Sequence, residues 1–400
     1  MPACCGHTSR RGRASTAVAP FELGLYTTAV RVGGLLVAAL LGTVVPARAL
    51  SLEKILGGGQ LVAYRPRNAD GRPSARVLRT DAESLAAVGF RAVTTYGTSR
   101  ATAPVCRFFK RRGFRSVLVG IADPRDAGEL RRAVRLRRCA DGYVVGSNGP
   151  SAARYTRSEL EHAIARVRAA SGRPVTTRET AQAYRDDPSL ARMGDWLFPA
   201  IQPWEAGKRD PQDACGWTIF AYRELAERAP AGMPTVIAET GLPTEGALAT
   251  SEHYQRAFFL CLASRQVPFG YFEAVDRSPG ADAVEAHWGL FRADGSPKLW
   301  AAQQIRPALV VERAGGMVRG RVENGPRHIL RVIVYVQGAR WDAAPPLVPD
   351  RRGAWELPVS PDRPVAVYVG TLAWTPPAAV DRLPRVDRVQ ILAARELPAM

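Results

Sequence analysis

From residue 61 onward, short apolar runs alternate with longer stretches in which apolar residues recur at helical spacing. The runs LVAYR (61–65), RAVTTY (91–96), SVLVGI (116–121), YVVGS (143–147), PVTTRE (174–179), WLFPAI (196–201), PTVIAE (234–239) and FGYFEA (269–274) read as strands. Between them, stretches such as SELEHAIARVRAA (158–170) place Leu160, Ile164 and Val167 on one face of a helix. Ser158 and Glu161 read as an S-x-x-E capping box at its start. Eight strands, each followed by helix or loop, within roughly 250 residues is the rhythm of a (β/α)8, or TIM, barrel in the α/β class. An open doubly wound sheet is the alternative, but no G-x-G-x-x-G follows the first strand. The triplet Gly57-Gly58-Gly59 precedes that strand and reads as a linker.

Beyond Trp300 the period changes to two. The runs MVRGRV from 317, ILRVIVYV from 329, VAVYVG from 365 and RVQILAA from 388 are separated by Pro, Gly and Asp turns, which predicts a small all-β sandwich. Trp341, Trp355 and Trp374 are either its core or a platform for sugar rings, core being the commoner use of tryptophan in so small a sandwich. At the other end, Arg10, Arg11, Arg13 and Arg31 precede the apolar run GGLLVAALLGTVV (33–45), which is short for a membrane span. Ala47-Arg48-Ala49 then fits an A-x-A cleavage site. The expected organisation is a signal peptide or N-terminal anchor over 1–49, a barrel over 50–305 and a β-sandwich over 306–400. Export follows as an expectation: periplasmic, secreted, or membrane-anchored if the first segment is retained.

The 400-residue chain is 46% hydrophobic, enough to bury a sizeable core, and carries a formal charge of +18. Nearly all of the positive charge is arginine, since the only lysines are Lys54, Lys110, Lys208 and Lys298. The densest runs, Lys110-Arg111-Arg112 and RRAVRLRR (131–138), fall on helix-like stretches and read as solvated faces. No RNP-like aromatic motif, zinc knuckle or helix-turn-helix signature accompanies them, so nucleic acid is not the expected partner. Cleavage after Ala49 would leave Cys106, Cys139, Cys215 and Cys261, whose spacing fits no metal site. In an exported chain Cys106–Cys139 is the favoured disulfide, with four free buried thiols as the alternative.

A barrel carries its chemistry at the C-terminal ends of its strands. Those ends here are Tyr96, Ser147-Asn148, Glu179, Gln202-Pro203-Trp204, Glu239 and Glu273. Carboxylates beside flat aromatic rings suit a carbohydrate site, where one carboxylate attacks or protonates and the rings stack on sugars. Any single one of these glutamates could equally be an arginine-paired structural group; all three being so is the weaker explanation.

The stretches VTTYGT (93–98), VVGSNGPSAARYTRSELEHAIARVRAASGRPVTTRE (144–179), GDWLFPAIQPWEAGKRD (194–210), VIAETGLPTEG (236–246) and GYFEAVDRSPGADAVEAHWGLFRADGSPK (270–298) together resemble the bacterial branch of glycoside hydrolase family 17. This is the β-1,3-glucanase family of the retaining (β/α)8 clan. The resemblance implies that Glu239, in AETGLP, is the catalytic nucleophile and that Glu273, in YFEA, is a further site glutamate. It also implies that Tyr96 and Trp288 contact substrate. Ser147 and Trp204, at their strand ends, join them as candidate substrate-binding residues. Where the family carries V-G-N-E, with the Glu as general acid/base, this chain has Val145-Gly146-Ser147-Asn148. The acid is absent, and Glu179 on the neighbouring strand is the nearest candidate for a displaced one. No metal or organic cofactor is implied.

Asn can donate a hydrogen bond to a leaving oxygen but cannot transfer a proton to it, and such assistance is worth about 10²–10⁴-fold. Three readings follow. The protein hydrolyses or transfers β-1,3-glucan with an acid from elsewhere; or it is a degenerate barrel that binds β-glucan or another exported polysaccharide without turnover; or it holds an anionic surface polymer through its arginines.

Overall fold

The computed structural model describes residues 51–400 apart from 59, 68–72, 100–102, 151, 278–282, 306, 324–329, 351, 372–373, 387–390 and 400. The expected targeting segment, 1–49, lies outside the described residues.

Eight parallel strands close into a barrel in chain order. They are β1 (Leu61–Tyr64), β2 (Ala92–Thr95), β3 (Ser116–Ile121), β4 (Gly142–Ser147), β5 (Val175–Thr180), β6 (Pro199–Ala200), β7 (Ile237–Thr240) and β8 (Phe269–Tyr271). The predicted barrel is thus the observed one, with most strands trimmed at an end. Helices α1 (Leu52–Leu56), α2 (Ala75–Ala87), α3 (Ala103–Arg111), α4 (Ala127–Val134), α5 (Arg157–Ser171), α6 (Ala181–Asp186), α7 (Pro211–Arg228), α8 (Glu252–Ser264) and α9 (Leu299–Gln304) accompany it. Alternate residues of the strands fill the barrel, where Leu61, Ala92, Leu118, Val144, Trp196, Phe198, Val236 and Ala238 form one buried cluster. Ile55 of α1 joins this cluster, so the N-terminal helix closes the barrel. The expected linker is therefore a helix terminus. Gly57 caps α1 at φ 62°, and a Cβ there would lie 2.8 Å from the Arg91 carbonyl oxygen.

The capping box of α5 lies two residues earlier than predicted. The Thr156 hydroxyl accepts from the Glu159 backbone N–H, and Glu159 accepts from that of Thr156. Both T-R-S-E and S-E-L-E fit the motif. The chain uses the first of them, directly after Tyr155, which is buried against the preceding turn. Two disulfides link outer helices to their surroundings: Cys106–Cys139, as favoured from sequence, and Cys215–Cys261, with Cα atoms 5.9 and 6.3 Å apart.

After α9 the described chain is entirely β. Strands β9 (Ala308–Ala314), β10 (Met317–Glu323), β11 (Leu330–Gln337), β12 (Trp341–Ala343), β13 (Ala354–Pro358), β14 (Val365–Thr371), β15 (Ala379–Val380) and β16 (Ile391–Leu397) form two antiparallel sheets. Their orders are β13-β10-β9 and β15-β12-β11-β14-β16. Strand β11 is apolar on both faces because both are covered. Val332 and Val334 join the large cluster that also takes in the barrel's outer layer, while Ile333 and Tyr335 pack with Tyr368 and Trp374. Trp374 and Trp355 are buried and Trp341 packs against the same cluster as Trp374, so these rings are core rather than platform. Among the described residues no helix is long and apolar enough to cross a membrane.

Candidate active site

The stretch YVVGSNGP bends at the end of β4 around one side chain. Tyr155 accepts a hydrogen bond from the Ser147 backbone N–H (2.7 Å), and its ring fills the space beside Gly146 and Gly149. A Cβ on Gly149 would lie 1.7 Å from that ring, and one on Gly146 would lie 2.1 Å from the phenol oxygen. Gly146 is left-handed at φ 74° and Asn148 at φ 49°, a conformation that asparagine tolerates better than most residues. The turn is tied to β5 by the Asn148 N–H, which donates to the Arg178 carbonyl (3.0 Å).

Side chains of β5 alternate. Thr176 and Arg178 face the barrel interior; Thr176 donates to the Trp196 carbonyl there. Val175 belongs to the outer cluster, and Thr177 and Glu179 share its parity. Arg178 is the residue that the sequence reading missed. Its guanidinium donates to the Ser147 hydroxyl from Nε (3.1 Å) and Nη2 (2.7 Å), and through Nη1 it pairs with the Glu239 carboxylate. Glu239, next to last in β7, is 7% exposed. Burial pushes its pKa up, while Arg178, the Tyr96 phenol, Arg277 and Arg65 pull it back. Tyr96 stands behind this pair with the guanidinium carbons of Arg65 and Arg178 at 4.9 and 5.0 Å from its ring centre. Burial, then the charges of Glu239 and Glu273, raise its phenol well above 10.

The loop after β8 supplies the aromatic wall. The Glu273 N–H donates to the Trp288 carbonyl (3.2 Å), Gln255 donates to the Trp288 and Gly289 carbonyls (3.3 and 3.0 Å), and the Gly289 N–H donates to Asp276 (2.7 Å). Trp288 is thereby held against Phe272, ring centres 5.3 Å apart and steeply inclined. The Glu273 carboxylate accepts from Arg277 Nε (3.0 Å), and Arg277 also holds Glu285 (2.9 Å). Burial raises Glu273 to about 7, with Arg277 opposing.

These residues enclose a cavity of about 360 Å³ at the C-terminal mouth of the barrel, within the range of small-ligand sites. Asn148, Gln202, Glu205, Glu239, Glu285 and Trp288 line it. Three of its polar atoms, Asn148 Oδ1, Gln202 Oε1 and Trp288 Nε1, are buried with no hydrogen-bond partner among the described residues. The Trp288 and Phe272 rings beside these polar residues and the Glu239 carboxylate give the cavity both an apolar wall and polar groups, as a sugar site requires.

Of the candidates for substrate contact, Trp288 lines the cavity. Tyr96, Ser147 and Glu273 support it from behind, and Trp204 packs with the same aromatic group under a stacked Arg209, 3.5 Å from its ring centre. Glu179 does not join Glu239. It is fully buried on the outer side of the barrel wall, where it accepts from the Gly149 N–H and the Thr177 hydroxyl (both 3.4 Å), and burial raises it to about 7. The reason is strand parity: adjacent residues of one strand point to opposite faces, so with Arg178 inward Glu179 must be outward. Among the described residues no cluster of His, Cys, Asp and Glu could hold a metal ion.

The model of the BtgE/BtgC glycoside hydrolase domain matches residues 62–289. Among curated proteins no match was found. Similar solved structures include a β-glucuronidase of an uncultured Clostridium sp. (16% identity, TM-score 0.51, 61% of this chain). The alignment spans only about half, 49%, of that enzyme. Others are CJP38, a β-1,3-glucanase and allergen of Cryptomeria japonica pollen (16%, 0.47, 60% of this chain and 97% of that one), and a plant β-glucan endohydrolase (16%, 0.47, 59% and 97%). At such identities the likeness is one of fold. The family match, by contrast, runs from β1 through β8 to the Trp288 wall and takes in more than half of the sequence: the chain belongs to the BtgE/BtgC glycoside hydrolase domain family.

Proposed function

We propose that the protein is a glycoside hydrolase family 17-like enzyme acting on β-1,3-linked glucan by retaining hydrolysis or transglycosylation, with Glu239 as the nucleophile. One observation carries the reading. Glu239 is a buried carboxylate near the end of a barrel strand, paired with Arg178 and lining a cavity walled by Trp288 and Phe272. In such a mechanism the carboxylate attacks the anomeric carbon to form a glycosyl ester, which water or a sugar hydroxyl then displaces. Arg178 orients the attacking oxygen, and its bond to Ser147 fixes the guanidinium in turn. Trp288 and Phe272 exclude water and offer apolar faces to the ring. The two disulfides support a working place outside the reducing cytoplasm.

The test is incubation of the purified protein with linear β-1,3-gluco-oligosaccharides, products followed by mass spectrometry. Shortened or lengthened chains are expected from the wild type and none from Glu239→Ala; equal turnover by both would refute the assignment. A second reading, glucan binding without turnover, draws on Asn148, which lines the cavity and, on the resemblance to glycoside hydrolase family 17, takes the position of the acid. Tight retention of oligosaccharide by a wild type that never cleaves it would favour that reading.

A further inference from the structure

The cavity has a nucleophile and, at Asn148, no acid. Three carboxyl groups line it: Glu239, Glu285 and Glu205. Glu239 is paired with Arg178 and Glu285 with Arg277, whereas Glu205 has no ion-pair or hydrogen-bond partner among the described residues. Glu273 and Glu179 do not line the cavity, the first being held by Arg277 behind it and the second facing the outer layer.

Glu205 is placed by a loop that braces itself. As the chain leaves β6, the Ile201 N–H donates to the carbonyl of Glu239 itself (3.0 Å), which fixes the start of the loop to the nucleophile's backbone. The loop then closes on itself: Gly207 N–H donates to Trp204 (3.0 Å) and Lys208 N–H to Pro203 (2.9 Å). Arg209 stacks on Trp204 and donates to its carbonyl. The loop backbone that carries Glu205 is thus fixed at the cavity mouth, and the side chain, free of other partners among the described residues, lines the cavity.

On the reading of Glu239 as nucleophile, we infer that Glu205 is the general acid–base of this site, taking the part that Asn148 cannot play. In the first step the Glu205 carboxylic acid gives its proton to the glycosidic oxygen as the C1–O bond breaks and Glu239 forms its ester with C1. In the second, the Glu205 carboxylate takes a proton from the attacking water or sugar hydroxyl as the ester bond breaks, and both groups return to their starting states. The surroundings suit this cycle. Burial, then the negative charges of Glu285 and Glu239, raise the Glu205 pKa, favouring the protonated form in the free enzyme. Esterification of Glu239 removes one of those charges and so favours the base form for the second step.

The test compares the wild type, Glu205→Gln and Glu239→Ala on a β-1,3-gluco-oligosaccharide and on 2,4-dinitrophenyl β-glucoside, whose leaving group needs no proton. Glu205→Gln should lose about 10²–10⁴-fold on the oligosaccharide. On the dinitrophenyl glucoside it should keep the rate of the first step and yield glucosyl azide when azide is added, with the wild type's basic pH limb gone. The side chain sits on an exposed loop, and an unchanged melting temperature would separate chemistry from folding. Wild-type rates from Glu205→Gln on the oligosaccharide would overturn the inference and leave Glu239 standing. So would a wild type active on the dinitrophenyl glucoside alone. Inertness of the wild type on both substrates, or full activity of Glu239→Ala, would remove the nucleophile reading and this inference with it.

Discussion

Arg178 sets the electrostatics of the site. It is a mostly buried guanidinium that touches Glu239, Ser147 and the face of Tyr96 at once, so it holds in one place the groups that three different strands deliver. Removing it would strand the Glu239 carboxylate among apolar and aromatic neighbours, the costly case for a buried ion pair. Arg178→Ala is expected to destabilise the fold by about 3–5 kcal/mol. It should also move the acidic limb of the pH–rate profile upward, because burial already raises the Glu239 pKa and Arg178 is the first of the groups opposing it. Denaturant unfolding and a kcat/KM profile check the two effects; a variant with unchanged stability and profile would contradict this role. From the sequence VTTRET the glutamate drew attention and the arginine did not, because a carboxylate at a strand end is a familiar catalytic sign. Parity along the strand was the available signal: only one of two adjacent residues can face inward. Glu205 was passed over for a related reason, lying beyond the end of β6 in a loop whose shape the sequence does not state.

At the scale of the element, β5 turns Arg178 inward onto Glu239 and buries Glu179 behind the β4 turn. The outward carboxyl carries a consequence for stability. Its pKa is about 7 in the fold against an ordinary value of 4.5, so between those values the folded chain holds a proton that the unfolded chain has released. Stability should therefore be greatest below pH about 4.5 as far as this group is concerned, and should fall as pH rises through about 7. The loss is at most about 3 kcal/mol. Glu273, likewise buried and raised to about 7, acts in the same window. Glu179→Gln should be the more stable form at pH 8 and nearly equal to wild type near pH 4. Melting temperatures across that range decide it, and identical slopes for the two proteins would exclude the assignment. The turn that covers Glu179 was legible only in outline. Gly-Ser-Asn-Gly announces a bend, but that Tyr155 dictates both glycines depends on a contact across several residues.

At the scale of the molecule, the alternation of strand and helix patterns was sufficient for the barrel, because eight short apolar runs have few other ways to cover one another. The period-2 segments after residue 300 likewise became antiparallel sheets. The packing between those parts was not legible. Val311, Val318 and Val332 belong to the same buried cluster as the barrel's outer layer, a continuity that no local pattern encodes. The second disulfide escaped for the same reason, since Cys215 and Cys261 meet through the packing of α7 on α8. By closing loops of 33 and 46 residues, the two bridges restrict the unfolded chain by roughly 3.5–4 kcal/mol each on the chain-entropy argument. What the whole fold achieves is to bring Glu239, Arg178 and the Trp288 wall to one mouth of the barrel. That Glu239 attacks the anomeric carbon there is the central claim. Incubation with 2-deoxy-2-fluoro-β-glucosyl fluoride, whose leaving group needs no acid, tests it most directly through intact mass and peptide mapping. One fluoroglucosyl group on the peptide containing Glu239, absent from Glu239→Ala, is the expected result; no adduct, or an adduct on another residue, would contradict it.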